Sequence, residues 1–404
     1  MKKIISMILA GTLAMGLFTG CGSGSTAKTS DPNTITIWHD KADAVANVLA
    51  EELKTLEPNV KVVLEKKTSL TDSLKMVGND PGSAPDMYLF AHDKIGVFAE
   101  TGMLMPITDI ISKEDLSGYL DQTIEAATYK GEIYQLPIYY ETLLFMYNRD
   151  YMKDDEVPAT TEELYSYMQA NTKGGHYGFV EQHSTPYYAA GWINGYGGTI
   201  LDADGNPGLN SDETVAALEY HKKFVELMPN ETEYATVNTL FNEGMAHSTI
   251  GGPWLIPTVR ETGIDVGVAP MPVIDATGTP ISPYMGVQGV HVLKNAGENK
   301  KEAVKQVLEV LMKPEVQIKL AQATGCAPAL ESCYDMDEIK NDDVVMMMKQ
   351  TAENAVPMPN IPEMDVMWTV LGNLLTDVNM SGKDVKESAD SAQKEAEKLI
   401  SSMK

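Results

Sequence analysis

The sequence predicts an α/β protein built as two domains, and three observations carry that prediction. Between Thr34 and Phe90 the hydrophobic pattern switches from strand alternation to helical spacing and back, in the order strand, helix, strand, helix, strand. About 370 of the 404 residues follow a short tether near the N-terminus, too many for one ordinary core and suited to two. The segment Tyr139-Tyr140-Glu141-Thr142-Leu143-Leu144-Phe145-Met146-Tyr147-Asn148 is nearly continuous apolar and aromatic, the pattern of a strand covered on both faces in a largely parallel sheet.

The chain opens with a charged Met1-Lys2-Lys3, an apolar stretch from Ile4 to Phe18, and small residues before Cys21, which is a secretion signal. Leu17-Phe18-Thr19-Gly20-Cys21 resembles a bacterial lipoprotein signal, with Phe18 where leucine is more usual. Residues 1–20 are then a signal peptide, Cys21 is the lipidated residue, and 21–33, containing Gly22-Ser23-Gly24-Ser25-Thr26, is a flexible tether. No later segment is long and apolar enough to span a bilayer. The expected location is therefore extracytoplasmic, lipid-anchored to the outer face of the bacterial cell membrane, with no other membrane contact.

Taking Lys2 and Lys3 from the 31 basic residues leaves 29 against 57 acidic ones, a net charge of −28. That excess argues against nucleic acid and anionic membrane surfaces as partners and leaves an uncharged ligand open. Cys326 and Cys333 lie close together in an oxidising setting, which allows a small disulfide loop without fixing its geometry.

Thr34 to Trp38 alternates as a first strand, and Ala42, Val45, Ala46, Leu49, Leu53 and Leu56 then share one helical face. Val60 to Leu64 is a second strand, Thr68 to Gly78 a weaker helix, and Pro85 to Phe90 a third strand. Ligands of parallel sheets collect at the carboxyl ends of strands, and Asp40, Lys41, Asp93 and Lys94 all fall just past such ends. Glu141 poses a question inside its apolar run, because a lone ionised carboxylate is costly to bury. It is either a solvated residue at a strand end or a group at the lip of a cleft with a cation nearby.

Further on, Thr161 to Gln169 reads as a helix, Gly178 to Val180 as a short strand, and Gly195 to Thr199 as a turn, since no lysine or helix follows to make a phosphate loop. Asp202, Asp204, Asn206, Gly208, Asn210 and Glu213 imitate a calcium loop, but Pro207 stands where such a loop needs glycine. The better reading is a turn into a helix capped by Asn210 or Ser211, with Val215, Leu218, Val225 and Met228 on its buried side. Thr249 to Trp254 and Val266 to Pro272 are strands. Ala303, Val304, Val307, Leu308 and Leu311 mark an amphipathic helix, and a last helix buries a stripe of Ala389, Ala392, Ala396 and Leu399.

The seven histidines form neither a metalloprotease pattern nor a zinc cluster, and no Gly-x-Ser-x-Gly elbow occurs, so neither metal nor other cofactor is expected and no catalytic residue is assigned. Asp93 and Glu141 could serve a glycosidase if held roughly 5 to 9 Å apart, but paired carboxylates are expected by chance in so acidic a chain. The aromatics are more informative. Phe90, Tyr187-Tyr188, Trp254 and Trp368 sit beside turns, where a ring can lie against the apolar face of a pyranose while carboxylates and lysines take its hydroxyls.

Phe90-Ala91-His92-Asp93-Lys94, Glu141 with Phe145 to Asp150, Gly252-Pro253-Trp254, and Met358-Pro359-Asn360-Ile361-Pro362-Glu363-Met364 leading to Trp368 together resemble the maltose/maltodextrin-binding proteins, within the extracellular solute-binding proteins of ABC sugar importers. The order holds from about Thr34 to the C-terminus, and the Met-Pro-Asn-Ile-Pro segment is its most specific part. The resemblance implies a two-lobed periplasmic-binding-protein fold of type II, with 34–139 plus 290–339 as the N-terminal lobe and 143–284 plus 344–404 as the C-terminal lobe. Residues 140–142, 285–289 and 340–343 would be the hinge crossings.

The resemblance further implies that Asp40, Lys41, Asp93, Lys94 and Glu141 bind sugar hydroxyls, and that Phe90, Tyr187, Trp254 and Trp368 line the sugar's apolar faces. Thr185, Phe90 and Gly372 depart from the family's best-known member, which has glutamate, tryptophan and arginine there. The implied protein is a monomer that binds malto-oligosaccharide and presents it to importer membrane subunits. A binder of another oligosaccharide is the alternative, and a glycosidase using Asp93 and Glu141 a weaker one.

Overall fold

The structure is a computed structural model that describes residues 31–230 and 233–403. The signal segment 1–20, the lipidation residue Cys21 and the tether up to residue 30 lie outside them. No helix among the described residues is long and apolar enough to cross a membrane.

The fold is α/β around two sheets. In the larger one, β1 (Thr34–His39) lies between β2 (Lys61–Lys66) and β3 (Met87–Ala91), all parallel, as expected from the strand, helix, strand, helix, strand order between Thr34 and Phe90. The ten-residue strand Tyr284–Leu293 follows β3 antiparallel to it, and Gln135–Thr142 pairs antiparallel with that strand in turn. Two reversals restore direction, so β1, β3 and Gln135–Thr142 all end at one edge of the sheet. Asp40, Asp93 and Glu141 therefore lie along the same edge, where ligands of such sheets collect.

The apolar run from Tyr139 to Asn148 is two strands rather than one. Gln135–Thr142 belongs to the large sheet, whereas Leu144–Asn148 is the centre of a second, three-stranded antiparallel sheet between Ser248–Gly251 and Val266–Ala269. The expectation of a parallel environment for this run is thus corrected: both of its strands pair antiparallel with their neighbours. Its continuous burial has another cause, since helices and loops cover both faces of each sheet and leave every residue from Leu143 to Tyr147 at most 3% exposed.

The helices expected from hydrophobic spacing form, among others the sequence did not announce. The predicted helix after residue 210 is capped by Ser211, whose side chain accepts from the Thr214 N–H. The final helix, Val385–Ser401, buries Ala389, Ala392 and Ala396 but turns Ile400, not Leu399, inward. Asp202 closes on itself, its carboxylate accepting from the N–H groups of Asp204 and Asn206 and from the Asn206 amide, so the calcium-like loop is an Asx-type turn. Among the described residues no three acidic, His or Cys side chains converge on a metal-sized position.

The disulfide loop does not form: Cys326 and Cys333 are both free and buried. The reason lies in the helix Pro314–Thr324, which starts with proline at its first turn and stops at Gly325 in the left-handed conformation, φ 69°. Cys326 follows that stop, while the thiol of Cys333 faces the carbonyl of Pro314 at the helix start. Eleven residues at 1.5 Å each separate the two ends by about 16 Å, beyond any disulfide span.

Candidate functional site

Glu141 is the natural starting point, because its carboxylate is the group the sequence leaves unexplained. Its strand pairs it with Gly286, and the missing side chain there makes room: a Cβ at 286 would sit 3.2 Å from Glu141 Oε1. Gln288, two residues along on the same face, donates its Nε2–H to Glu141 Oε1 at 2.8 Å. The thiol of Cys326 donates to Oε2 at 3.7 Å. On the far side, Lys41 donates to Gln288 Oε1 at 2.8 Å and pairs with Asp40 at 2.8 Å. A cation does wait near the half-buried carboxylate, therefore, with the amide of Gln288 standing between them.

Burial pushes the Glu141 carboxyl above the usual carboxylate range, while Lys41, Gln288 and Cys326 oppose that rise. Burial, then the neighbouring Glu141, hold the Cys326 thiol well above its ordinary value. Both follow from placing negative charge where water is scarce.

These residues line a hollow of ≈ 670 Å³ together with Tyr139, Trp254, Pro257 and Thr324. The hollow brings together four of the nine predicted binding residues: Asp40, Lys41, Glu141 and Trp254. Trp254 follows the strand Ser248–Gly251 in a short 3₁₀ turn, and its indole folds back over Gly252, where a Cβ would be 2.1 Å from the ring. Phe90 joins through Lys41, whose ammonium stands 5.4 Å from the centre of its ring.

Tyr187 sits in the first turn of the helix Pro186–Gly195. Its hydroxyl is buried and meets no hydrogen-bond partner among the described residues. Burial and then the carboxylate of Glu141 hold its phenol well above the ordinary value, with Asp93 adding to the effect. It is a buried polar atom that feels this acidic centre and has no hydrogen-bond partner of its own among the described residues.

Asp93 and Lys94 form a second group. Lys94 pairs with Asp93 at 3.1 Å and with Asp365 at 2.7 Å, and Lys75 takes the other oxygen of Asp365 at 2.8 Å. Burial works to lower the Lys94 ammonium, yet Asp93 and Asp365 outweigh it and hold the group above its usual value. Trp368 lies one turn beyond Asp365 on the helix Met364–Leu375, edge-on to Tyr284 with ring centres 5.9 Å apart. It is a mid-helix residue, so the expectation that these rings sit beside turns is corrected for Trp368, whereas Tyr187 follows a turn directly at its helix start.

The Met-Pro-Asn-Ile-Pro segment acts as a strap that delivers this helix. Its Met358 carbonyl accepts from His92 Nε2, the Asn360 carbonyl accepts from the Gly96 N–H, and the Asn360 amide donates to the carbonyls of Ala126 and Thr128. His92 Nδ1 accepts from the Val287 N–H, which fixes a neutral tautomer consistent with the lowering that burial imposes. Sequence reasoning missed Gln288, Cys326, Asp365 and His92. Only their positions beside predicted residues in space mark them out.

A larger hollow of ≈ 990 Å³ lies elsewhere, between Met346, Met347 and the residues around Pro270. It contains none of the predicted binding residues, and the guanidinium on its wall, Arg149, is already committed to Asp154 and Asp265. Size alone does not make it the ligand site.

The family model described as bacterial extracellular solute-binding protein matches residues 49–346. The chain is 33% identical to a maltotriose-binding protein from Pyrococcus abyssi, over 86% of this chain and 76% of that protein. It is 28% identical to a galactooligosaccharide-binding protein from Bacillus subtilis, over 99% and 97% respectively. Among solved structures, a cyclo/maltodextrin-binding protein complexed with maltotetraose superposes with a TM-score of 0.81 at 28% identity, covering 93% of this chain and 100% of that one.

Proposed function

The chain belongs to the bacterial extracellular solute-binding proteins, and on that premise we propose that it captures a malto-oligosaccharide outside the cell and presents it to the membrane subunits of an ABC importer. It acts by binding alone, as a lipid-anchored monomer held through Cys21. The observation that carries the ligand class is the hollow lined by the Glu141 carboxylate and the Trp254 indole, with the buried, unpartnered hydroxyl of Tyr187 feeling the charge of that carboxylate. A neutral polyol satisfies all three at once, giving hydroxyls to the carboxylate, accepting from or donating to the phenol, and laying a C–H face on the ring.

In this reading Asp40, Lys41, Asp93, Lys94 and Glu141 take sugar hydroxyls, and Phe90, Tyr187, Trp254 and Trp368 line the apolar faces. The lobes are 34–139 with 290–339 and 143–284 with 344–404, hinged at 140–142, 285–289 and 340–343. Glu141 stands on the first crossing and Gln288 on the second, so a ligand held there touches the joint itself. A sugar contacting both lobes favours the closed form by its additional contacts in that form, and the importer reads the closed form.

Isothermal titration of the purified protein with maltotriose, maltotetraose and a galacto-oligosaccharide tests the proposal. Saturable binding of the α-glucans supports it. Silence from both, with binding of the galacto-oligosaccharide, overturns the ligand in favour of the second reading, which the Bacillus subtilis relative motivates by matching 99% of this chain. Release of shorter sugars from maltotetraose that survives repurification would overturn binding without chemistry.

A further inference from the structure

We propose that Gln288 is a positioning residue: it passes the influence of Lys41 to Glu141 through a neutral amide and fixes which way the ligand-facing carboxylate points. The inference rests on the oligosaccharide reading above and gives Gln288 a role that reading does not assign.

Gln288 is 6% exposed, and both ends of its side chain are engaged. Its Oε1 accepts from the Lys41 ammonium and its Nε2 donates to Glu141 Oε1, each at 2.8 Å. The charges on either side dictate that orientation, because a flipped amide would turn its oxygen on the carboxylate and its NH₂ on the ammonium. The strand geometry allows it. Between Gln288 and Gly289 the pairing with Gln135–Thr142 shifts register, and Gly289 accepts the close approach of Leu136, whose carbonyl would be 2.3 Å from a Cβ. Such a bulge re-aims side chains at a sheet's functional rim.

The amide has a chemical consequence. A carboxylate offers roughly four acceptor positions. Gln288 takes one on Oε1 and the Cys326 thiol takes one on Oε2, so each oxygen keeps a lone pair for a ligand. A lysine in direct contact would lock Glu141 into a salt bridge. Asp40 holds Lys41 back at 2.8 Å, and the amide spans the gap. The carboxylate stays oriented and open to hydroxyl donors.

The test combines a double-mutant cycle with a measurement that needs no sugar. Maltotriose affinity is measured by calorimetry for the full chain, Gln288→Met, Glu141→Gln and the double variant. If Gln288 acts through Glu141, Gln288→Met weakens binding about tenfold and adds less than about twofold on top of Glu141→Gln. Independently, the Glu141 carboxyl is titrated by NMR in protein carrying ¹³C-labelled glutamate, its signal assigned by its loss in Glu141→Gln. The groups facing it are Lys41, Asp40, Cys326, Tyr139 and Tyr187, all unchanged in Gln288→Met. Removing the donor should raise its titration point by about half a pH unit or more.

Gln288→Asn keeps an amide but withdraws it by one methylene, and it should give the same changes if the methionine variant does not fold. An additive cycle with an unmoved Glu141 titration overturns the inference. If maltotriose binds no form but the titration still moves upward, the sugar reading fails and the positioning role stands.

Discussion

Lys94 donates to Oδ1 of Asp365 at 2.7 Å although 271 positions separate them in the chain. Lys75 occupies the other oxygen, so one carboxylate on the helix that carries Trp368 is clamped by two lysines from the segment between β2 and the turn after β3. On the lobe boundaries proposed above, this clamp ties the N-terminal lobe to a helix of the C-terminal lobe.

Asp365→Asn should therefore act on binding more than on stability. The carboxylate is about one-third exposed, and a pair so screened contributes about 1 kcal/mol or less. Urea unfolding should show a loss of that size that shrinks at high salt, while maltotriose affinity changes severalfold because Trp368 loses an anchor near its helix start. Unchanged affinity with the same small stability loss would show that the clamp does not govern the ring's placement.

The two tryptophans should separate. Trp254→Ala removes a ring lying over Gly252 at the mouth of the hollow and should weaken sugar binding about tenfold, about 1.4 kcal/mol, with little change in melting temperature. Trp368→Ala should weaken binding comparably but also lower stability by about 1 kcal/mol, because it bares the edge of the buried Tyr284. Calorimetry and thermal melts distinguish them, and a variant that melts early with unaltered affinity per folded molecule identifies its tryptophan as core.

Glu141→Gln should divide function from stability. Affinity should fall by about 1.5 to 3 kcal/mol, the worth of a hydrogen bond to a charged acceptor. Yet burial raises this carboxyl in the folded state, so the fold binds its proton more tightly than the unfolded chain does. Stability from this group is thus present at low pH and lost as pH rises through the folded titration point. The ligand-free variant should then melt no earlier than wild type at neutral pH, with the difference closing in acid. A variant that melts several degrees lower at pH 7 would mean that the carboxylate is structural.

His183 supplies an acid-sensitive element outside the cleft. Burial, with the nearby His221 adding, lowers its imidazole from 6.5 to about 4. A depressed pKa means the unfolded chain takes up the proton first, so stability is present above pH 6.5 and declines as pH falls toward 4, by on the order of 3 kcal/mol. His183→Gln should flatten the pH dependence of urea midpoints in that window, and an unaltered slope would place the acid response in other groups.

Much of this protein was legible in the chain alone, because local pattern has local causes. The alternation at Thr34 to Trp38, the helical face from Val45 to Leu53 and the turns after His39 and Ala91 determined a parallel β1, β2, β3 unit and put Asp40, Lys41, Asp93 and Lys94 at its carboxyl edge. The continuous run from Tyr139 announced burial, but burial reads alike in one strand or two, and in parallel or antiparallel company. The division at Leu143 between two sheets needed partners more than a hundred residues away.

The same limit governs Glu141. Its sequence shows a carboxylate in an apolar setting and nothing of what satisfies it. Gln288 and Cys326 stand 147 and 185 positions from it, and they reach it only because the register sets Gly286 opposite and the stop at Gly325 turns the thiol inward. The cysteine spacing suggested a bridge for a related reason: seven positions are short along the chain, while the helix between Pro314 and Thr324 holds the two thiols at opposite ends. The sequence by itself determined that the chain is α/β and that Asp40, Lys41, Asp93 and Lys94 would stand just past strand ends. Tertiary structure alone decided which of them touch, since hydrogen bonds and ion pairs act over about 3 Å and register, not sequence distance, brings atoms that close.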